Sequence, residues 1–213
     1  MTNYKVYRVL SKSFLLIFFL FISCLGLGQI NIGVKGGLNL STLKNGGPEN
    51  PKLRLGWNAG GFARIIITKK ISAQTEILYS IKGYSVQGMQ NRGKALVSFK
   101  YINLPILLGF QPTKQLRFLI GPEFGFLAKA TSKFEGNIYD VDLNDEINNF
   151  DIGVDLGIDY SFTKRMGIDI RYNHGFNGLF KSYYYSDPYV TIERDGGGYN
   201  RVLQISIYYI LSK

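Results

Sequence analysis

The chain has 213 residues and a formal net charge of +10 at pH 7, from 25 Lys and Arg against 15 Asp and Glu. This length suits one domain, and no Pro- or Ser-rich linker divides it. The basic side chains are scattered rather than gathered in one stripe, so we do not expect nucleic acid as a partner.

The first 28 residues predict a secretory signal peptide. Three basic residues precede an apolar run over residues 14–22, and small residues follow just before Gln29. The run is shorter than the roughly 20 residues that a membrane-spanning helix needs. We therefore expect residues 1–28 to be removed together with the single cysteine, Cys24. Residues 29–213 should then form one domain without disulfides.

Apolar side chains recur at alternate positions throughout residues 29–213. Between Phe150 and Tyr160, for example, every even position is apolar or aromatic and every odd position is Asp or Gly. Period two is the pattern of a strand with one apolar face, and the two interior glycines argue against a helix. Eight segments show this pattern, which predicts an all-β fold: residues 30–40, 53–67, 71–86, 95–110, 116–130, 149–161, 166–176 and 200–211.

The connections between these segments alternate in length. Residues 68–70, 111–115 and 162–165 are short turns, whereas the connections on the other side are longer, up to residues 131–148 and 177–199. This alternation predicts an eight-stranded antiparallel up-and-down β-barrel that crosses the bacterial outer membrane. The short turns and the N-terminus would lie in the periplasm and the long loops outside the cell.

A soluble eight-stranded barrel is the alternative, and the polar face distinguishes the two. That face combines glycines with charges of both signs, which suits a narrow packed lumen better than a solvated surface. We expect a network of ion pairs there, because unpaired buried charge is unfavourable. Eight strands enclose too little space for an open channel. The expected lumen charges are Lys35, Arg64, Glu76, Lys82, Arg117, Glu123, Lys129, Asp151, Asp155, Asp159, Arg165, Asp169 and Arg171.

Aromatic residues stand near the strand ends on the apolar face. As a set they predict the two aromatic girdles of a membrane barrel, although each alone is compatible with an ordinary core. They are Trp57, Tyr79, Phe110, Phe126, Tyr160, Tyr172 and Tyr209.

The order and spacing of several motifs resemble the PorT-like outer-membrane β-barrel proteins of the Bacteroidetes. The motifs are GVKGGLNLS, EILYSIKGYS, YINLPILLGF, LIGPEFGFLAKA and DIGVDLGIDYSF running into MGIDIRYNHGF. The resemblance implies an eight-stranded barrel inserted by the barrel-assembly machinery after periplasmic chaperoning. It implies no activity for most members, while the protein that names the family acts in a protein-secretion system. The last strand departs from the pattern of a terminal aromatic residue, since Ser212 and Lys213 follow Leu211.

Catalytic and metal sites are weakly supported. His174 lies near the expected outer rim, where a lipid-modifying enzyme would carry its histidine, but nothing fixes Ser182 or Asp187 beside it. The acidic loop at residues 140–146 lacks the glycine and the closing glutamate of a calcium loop. We expect no cofactor, no metal and no enzymatic activity. A rim-located lipid-modifying enzyme and a narrow pore remain the alternatives.

The loop at residues 177–199 is the strongest candidate for a binding surface. Tyrosine supplies rigid area and a hydroxyl group and is favoured at interfaces. The alternative is that these tyrosines only extend the strands above the membrane. Beyond lipid and lipopolysaccharide, the expected partner is an unidentified extracellular or envelope protein, with residues 131–148 as a secondary surface. The candidate contact residues are Tyr183, Tyr184, Tyr185, Tyr189 and Arg194.

Overall fold

The computed structural model describes residues 29–45, 50–87, 93–134, 140–186, 191–194 and 196–212. The predicted signal peptide lies outside these residues and stays a prediction. Within the described ranges no helix is long and apolar enough to cross a membrane.

Eleven strands account for most of the described chain. Eight of them correspond to the predicted segments, and the other three are short strands in the long connections. In chain order they are β1 (Gln29–Lys44), β2 (Arg54–Ile66), β3 (Ile71–Gln87), β4 (Lys94–Phe110), β5 (Leu116–Phe134), β6 (Val141–Asp142), β7 (Phe150–Ser161), β8 (Met166–Gly175), β9 (Tyr183–Ser186), β10 (Thr191–Arg194) and β11 (Tyr199–Ser212).

The eight long strands form a closed ring. Each pairs in antiparallel fashion with the next long strand along the chain, and β1 closes the ring by pairing with β11. Short turns join the strands at one end, here called the turn end, and the longer connections lie at the opposite loop end. The predicted eight-stranded antiparallel barrel is therefore confirmed.

Side chains alternate between a polar interior and an apolar outer wall. On β1, Val34 and Leu38 are 47% and 54% exposed, whereas the residues directly after them, Lys35 and Asn39, are 5% and 0% exposed. A soluble barrel has the reverse arrangement. An apolar outer wall around a charged interior is the pattern of a barrel that faces lipid.

The height of the apolar wall matches a bilayer. Tyr160 is ten positions after Phe150 along β7, which is about 34 Å along the strand and about 26 Å along the axis at a typical tilt of about 40°. All seven predicted girdle aromatics are exposed on this wall. Trp57 and Tyr79 lie 5.4 Å apart toward the loop end, and Tyr160 contacts Phe162 at 5.7 Å at the turn end.

Two of the charges expected in the lumen lie elsewhere. A β-bulge places Lys100 opposite Lys129 but Tyr101 opposite Leu127, so that Ala128 is an extra residue in β5. The extra residue reverses the alternation, and Lys129 is exposed on the outer wall while Ala130 is buried. Arg165 is exposed in the turn between β7 and β8.

Candidate functional site

The centre of the lumen is organised around Arg171. Its Nη2 and Nη1 atoms donate to the two carboxylate oxygens of Glu76 at 2.8 and 3.2 Å, a bidentate pair. Nη2 also lies 2.6 Å from Oδ2 of Asp169, and Nη1 lies 3.4 Å from Oδ2 of Asp155. One guanidinium group therefore joins carboxylates from three strands.

Lys35 completes this central cluster from β1, midway along the ring between β8 and β3. Its Nζ lies 3.0 Å from Oδ1 of Asp169 and 3.3 Å from Oε2 of Glu76. Strands β8 and β3 are opposite each other in the ring, so the Arg171–Glu76 pair crosses the lumen and Lys35 joins it from the strand between them. The central section is thus filled by paired side chains.

Toward the turn end, Asp159 is the shared acceptor. It forms ion pairs with Arg117 and, at 3.2 Å, with Arg64, and it accepts a hydrogen bond from the Tyr208 hydroxyl at 2.9 Å. Gln74 Oε1 accepts from Nε of Arg64 at 2.7 Å and from Arg117 Nη2 at 3.1 Å. A neutral amide thereby links the two guanidinium groups.

Below this cluster, the rings of Phe62 and Tyr208 pack with Ile210 and form a layer that is here called the aromatic floor. The two rings meet edge to face with centroids 5.8 Å apart, and the Arg64 guanidinium carbon lies 5.3 and 5.2 Å from their centroids. Glycine is required around the floor, because a Cβ atom at Gly33 would overlap the Phe62 ring and one at Gly167 would overlap Tyr208. The floor closes the lumen near the turn end.

Toward the loop end, the acids are paired mainly with amides. Lys82 Nζ lies 2.7 Å from Oε1 of Glu123, which also accepts from Asn103 at 2.8 Å. Asp151 accepts from Asn200 at 2.8 Å and forms no ion pair within 4 Å among the described residues. Asp155 accepts from an asparagine in the same way, from Asn173 at 2.7 Å.

Across the described part of the chain, the lumen buries one more acid than base. Because all these acids are hydrogen-bonded, amides replace the missing cation. The acids are Glu76, Glu123, Asp151, Asp155, Asp159 and Asp169, and the bases are Lys35, Arg64, Lys82, Arg117 and Arg171.

An apolar cap covers the charged lumen at the loop end. The loops contribute Ile147, Leu179 and Phe180, which are 0%, 3% and 8% exposed. Ile147 and Phe180 form a β-bridge. Sequence analysis missed the cap, although apolar residues in otherwise polar loops were a signal that could have indicated it. The strand residues of the cap are Leu43, Tyr84, Val97, Phe99, Tyr101 and Ala130.

Main-chain hydrogen bonds hold the two capping loops together. Asn148 N donates to Leu179 O at 2.8 Å, Lys181 N donates to Glu146 O at 2.9 Å, and Leu179 N donates to Gly198 O at 2.9 Å. Gly198 has a φ of +79°, and its neighbour Phe180 leaves no space for a Cβ atom there. The cap is therefore an ordered layer continuous with the barrel.

Three of the candidate binding tyrosines, Tyr183, Tyr184 and Tyr185, follow the cap residue Phe180 along the chain. Strands β9 and β10 form a separate antiparallel pair, in which Tyr183 is opposite Arg194 and Tyr185 is opposite Ile192. Tyr189 falls outside the described residues. The backbone therefore brings Tyr183, Tyr184, Tyr185 and Arg194 into one hairpin.

Comparison with known proteins agrees with this architecture. Residues 23–181 match the family described as the outer membrane protein beta-barrel domain. The chain belongs to this family. No curated protein matches the sequence significantly. The barrel is thus an integral protein of the bacterial outer membrane, and the narrower resemblance to PorT-like proteins stays a prediction.

Two solved structures resemble the barrel in fold. Neisserial surface protein A is 11% identical, with a TM-score of 0.54, over 84% of this chain and 96% of its own. Ail, the attachment invasion locus protein of Yersinia pestis, is 13% identical, with a TM-score of 0.50, over 86% of this chain and 99% of its own. At such low identity these similarities indicate the fold alone.

His174 lies on the outer wall of the barrel near the loop end. Its ring contacts Phe176 at 5.2 Å and Tyr172 at 6.2 Å. It lines an open pocket of about 380 Å³ whose other side chains are Asn45, Phe176, Tyr199 and Arg201, which include no serine, threonine or cysteine. Ser182 Oγ instead accepts a hydrogen bond from Gly196 N at 2.8 Å, and Asp187 lies outside the described residues. The described residues do not assemble a catalytic triad at His174.

The acidic loop forms a local turn. The Asp142 carboxylate accepts hydrogen bonds from Asn144 N at 2.8 Å and from Asn144 Nδ2 at 3.3 Å. Among the residues with described positions, no three His, Cys, Asp or Glu side chains are grouped to hold a metal ion. Asp140, Asp145 and Glu146 therefore do not form a metal site in this loop.

Proposed function

We propose that the protein is a non-enzymatic outer-membrane scaffold that presents its extracellular loops to a protein or saccharide partner. The observation that carries this proposal is the closure of the lumen. The apolar cap, the ion-pair clusters and the aromatic floor follow one another along the barrel axis and fill it with contacting side chains. With the wall facing lipid and the turns short, the loops are the largest surface open to a partner.

The anchoring of the last long loop supports a binding role. Leu179 and Phe180 are buried in the cap, and the backbone around them is hydrogen-bonded to Gly197 and Gly198 on the returning chain. The base of the hairpin is thereby fixed relative to the barrel. A fixed base reduces the conformational entropy lost on binding, which favours recognition by the aromatic residues beyond it.

The composition of the hairpin suits contact with protein or saccharide. Tyr183, Tyr184, Tyr185 and Tyr189 supply aromatic area and hydroxyl groups, and Arg194 supplies a charge that forms bidentate hydrogen bonds. The resemblance to PorT-like proteins extends the proposal to a partner in a protein-secretion system. The same resemblance suggests assembly by the barrel-assembly machinery with periplasmic chaperones, and the lipid partners would include lipopolysaccharide.

Replacing residues 181–195 with a short Gly/Ser turn tests this proposal. The variant retains Leu179, Phe180 and Gly198, so we expect the barrel to fold and to fractionate with outer membranes. Crosslinking of intact cells should recover a partner with the parent protein and lose it with the variant. His174→Ala is the matched control and should retain the partner.

Two outcomes would contradict the binding role. A crosslinked partner or secretion phenotype that survives loop replacement would show that the hairpin is not the binding element. A phenotype lost with His174→Ala alone would favour the rim-located enzyme instead.

A further inference from the structure

Two lysines face each other across neighbouring strands on the outer wall. Lys100 in β4 and Lys129 in β5 are directly opposite in the antiparallel register. Lys100 shares its face of β4 with the exposed Ile102, while the adjacent Phe99 and Tyr101 point inward and are fully buried. Directly opposite side chains on one face have Cβ atoms about 4.5–5.5 Å apart. The two ammonium groups therefore share one small region of the wall.

The β-bulge at Ala128 creates this juxtaposition. If β5 continued its regular alternation without a bulge, the pattern that points Arg117 and Glu123 inward would also point Lys129 into the lumen. The bulge turns Lys129 outward to face Lys100. Bulges commonly re-aim a side chain at functional positions.

Like charges placed directly opposite each other destabilise a sheet unless a counter-ion lies between them. Within the described residues, every ion pair up to 4 Å lies inside the lumen and none includes Lys100 or Lys129. Asp142, which is opposite Thr131 in β6, is hydrogen-bonded to Asn144 instead. The pair thus lacks an anion from this part of the chain.

The pair lies just above the aromatic girdle. Phe126 is opposite Ile102, the next outward position toward the turn end, and its ring contacts Phe150 at 5.5 Å. Two residues along a strand correspond to about 7 Å. Aromatic girdles mark the boundary between the hydrocarbon and the headgroups. Lys100 and Lys129 are therefore at the level of the outer headgroups.

We propose that Lys100 and Lys129 form a binding site for the phosphate group of a lipid in the outer leaflet, namely the phosphorylated glucosamine headgroup of lipopolysaccharide. Two ammonium groups neutralise one phosphate, and lysine binds phosphate as a point charge. The acyl chains of the same lipid would lie against the apolar wall below, beside Ile102 and Phe126. This site is separate from the proposed binding hairpin and does not depend on it.

Lipid retention by the full barrel in nanodiscs tests the proposal. The probes are purified phosphorylated lipid A and the same lipid after enzymatic dephosphorylation, counted by native mass spectrometry. The variant Lys100→Gln/Lys129→Gln should retain phosphorylated lipid A at least about tenfold less than the parent, because it removes both positive charges. A tenfold change corresponds to about 1.4 kcal/mol of binding free energy. Dephosphorylated lipid should be retained equally by both. The control Lys69→Gln/Lys70→Gln removes the same charge from an exposed turn and should behave as the parent.

A charge reversal separates the site from a structural role. Lys129→Glu places opposite charges across the strands, so it should raise the thermal midpoint of the lipid-free protein in detergent while still abolishing retention of phosphorylated lipid. Equal retention by parent and double variant, or equal retention of the two lipids, would overturn the proposal. If inorganic phosphate raises the midpoint of the parent as much as lipid A does, the ligand is free phosphate and the lipid assignment is wrong.

Discussion

At the scale of single residues, Arg171 has the most consequential contacts. It is fully buried and pairs with Glu76, Asp169 and Asp155. Replacing it leaves Glu76 and Asp169 with Lys35 as their shared cation, and Asp155 with the amide of Asn173. We expect Arg171→Met to lower the free energy of unfolding by about 3–5 kcal/mol, the usual loss for breaking a buried pair.

Urea titration of the folded barrel in detergent measures this change, because the single tryptophan, Trp57, lies on the outer wall and reports exposure to water. Arg165→Met is the matched control, since Arg165 is exposed in a turn and should change stability by less than about 0.5 kcal/mol. Equal effects of the two substitutions would contradict a packed charged lumen.

The acidic residues near the loop end should differ in how much they contribute to the stability of the barrel. Glu123 forms an ion pair with Lys82 at 2.7 Å, whereas Asp151 is hydrogen-bonded to the Asn200 amide. Glu123→Gln leaves a buried ammonium without its nearest carboxylate, so we expect a loss of about 3 kcal/mol or more. Asp151→Asn removes a charge that forms no ion pair within 4 Å among the described residues, so it should change stability by about 1 kcal/mol or less. The same urea titration compares them, and a larger loss for Asp151→Asn would show that the ion-pair assignment is wrong.

At the scale of the elements, the apolar cap connects the loops to the barrel. Phe180 packs in the cap and is hydrogen-bonded through its backbone to Gly197. Removing its ring should cost about 3 kcal/mol or more of packing energy, concentrated in the loops. We expect Phe180→Ala to increase hydrogen exchange at the amides of Asn148, Leu179 and Lys181, while the strands stay protected.

Phe176→Ala is the control for this exchange experiment, because Phe176 is 56% exposed on the outer wall. It should leave the three loop amides protected. If those amides exchange rapidly in the parent protein, the cap is not an ordered layer.

At the scale of the elements, the regular strands could be predicted from the sequence, whereas the β-bulge and the details of the cap could not. The strands and their faces were predictable because period two directly encodes a polar interior and an apolar wall. The outward position of Lys129 was not, because one extra residue at Ala128 reverses the alternation without changing the composition of β5. The apolar loop residues were a signal for the cap, but the contact of Ile147 with Phe180 could not be predicted, because it depends on how two loops close over the barrel.

For the candidate site, the residues that face the lumen could be predicted from the sequence, but their partners could not. Charges within regular strands, such as Glu76, Asp155 and Arg171, lie inside as the alternation indicates. Their partners depend on which strands face each other across the lumen, and ring closure between β1 and β11 determines that. The hairpin of β9 and β10 was not predicted, because each of its strands is only four residues long and gives little periodic signal.

At the scale of the whole molecule, the barrel combines a rigid closed interior with loops that are tied to it. The apolar cap, the paired charges and the aromatic floor fill the interior, so we do not expect solutes to pass through it. The functions we propose for this protein therefore lie at its surfaces, toward lipid along the wall and toward a partner at the loops. Closure of the lumen is the feature on which this interpretation depends most.

Electrical recording from the barrel in a planar bilayer tests closure most directly. With concentrated potassium chloride on both sides, the intact protein should insert without producing discrete conductance steps, because the described side chains fill the narrow lumen of an eight-stranded barrel. The variant Ile147→Gly/Phe180→Gly removes part of the cap and, with the charged clusters and the floor still present, should also remain silent. Stable single-channel steps from the intact protein would contradict the closed lumen and identify the barrel as a pore.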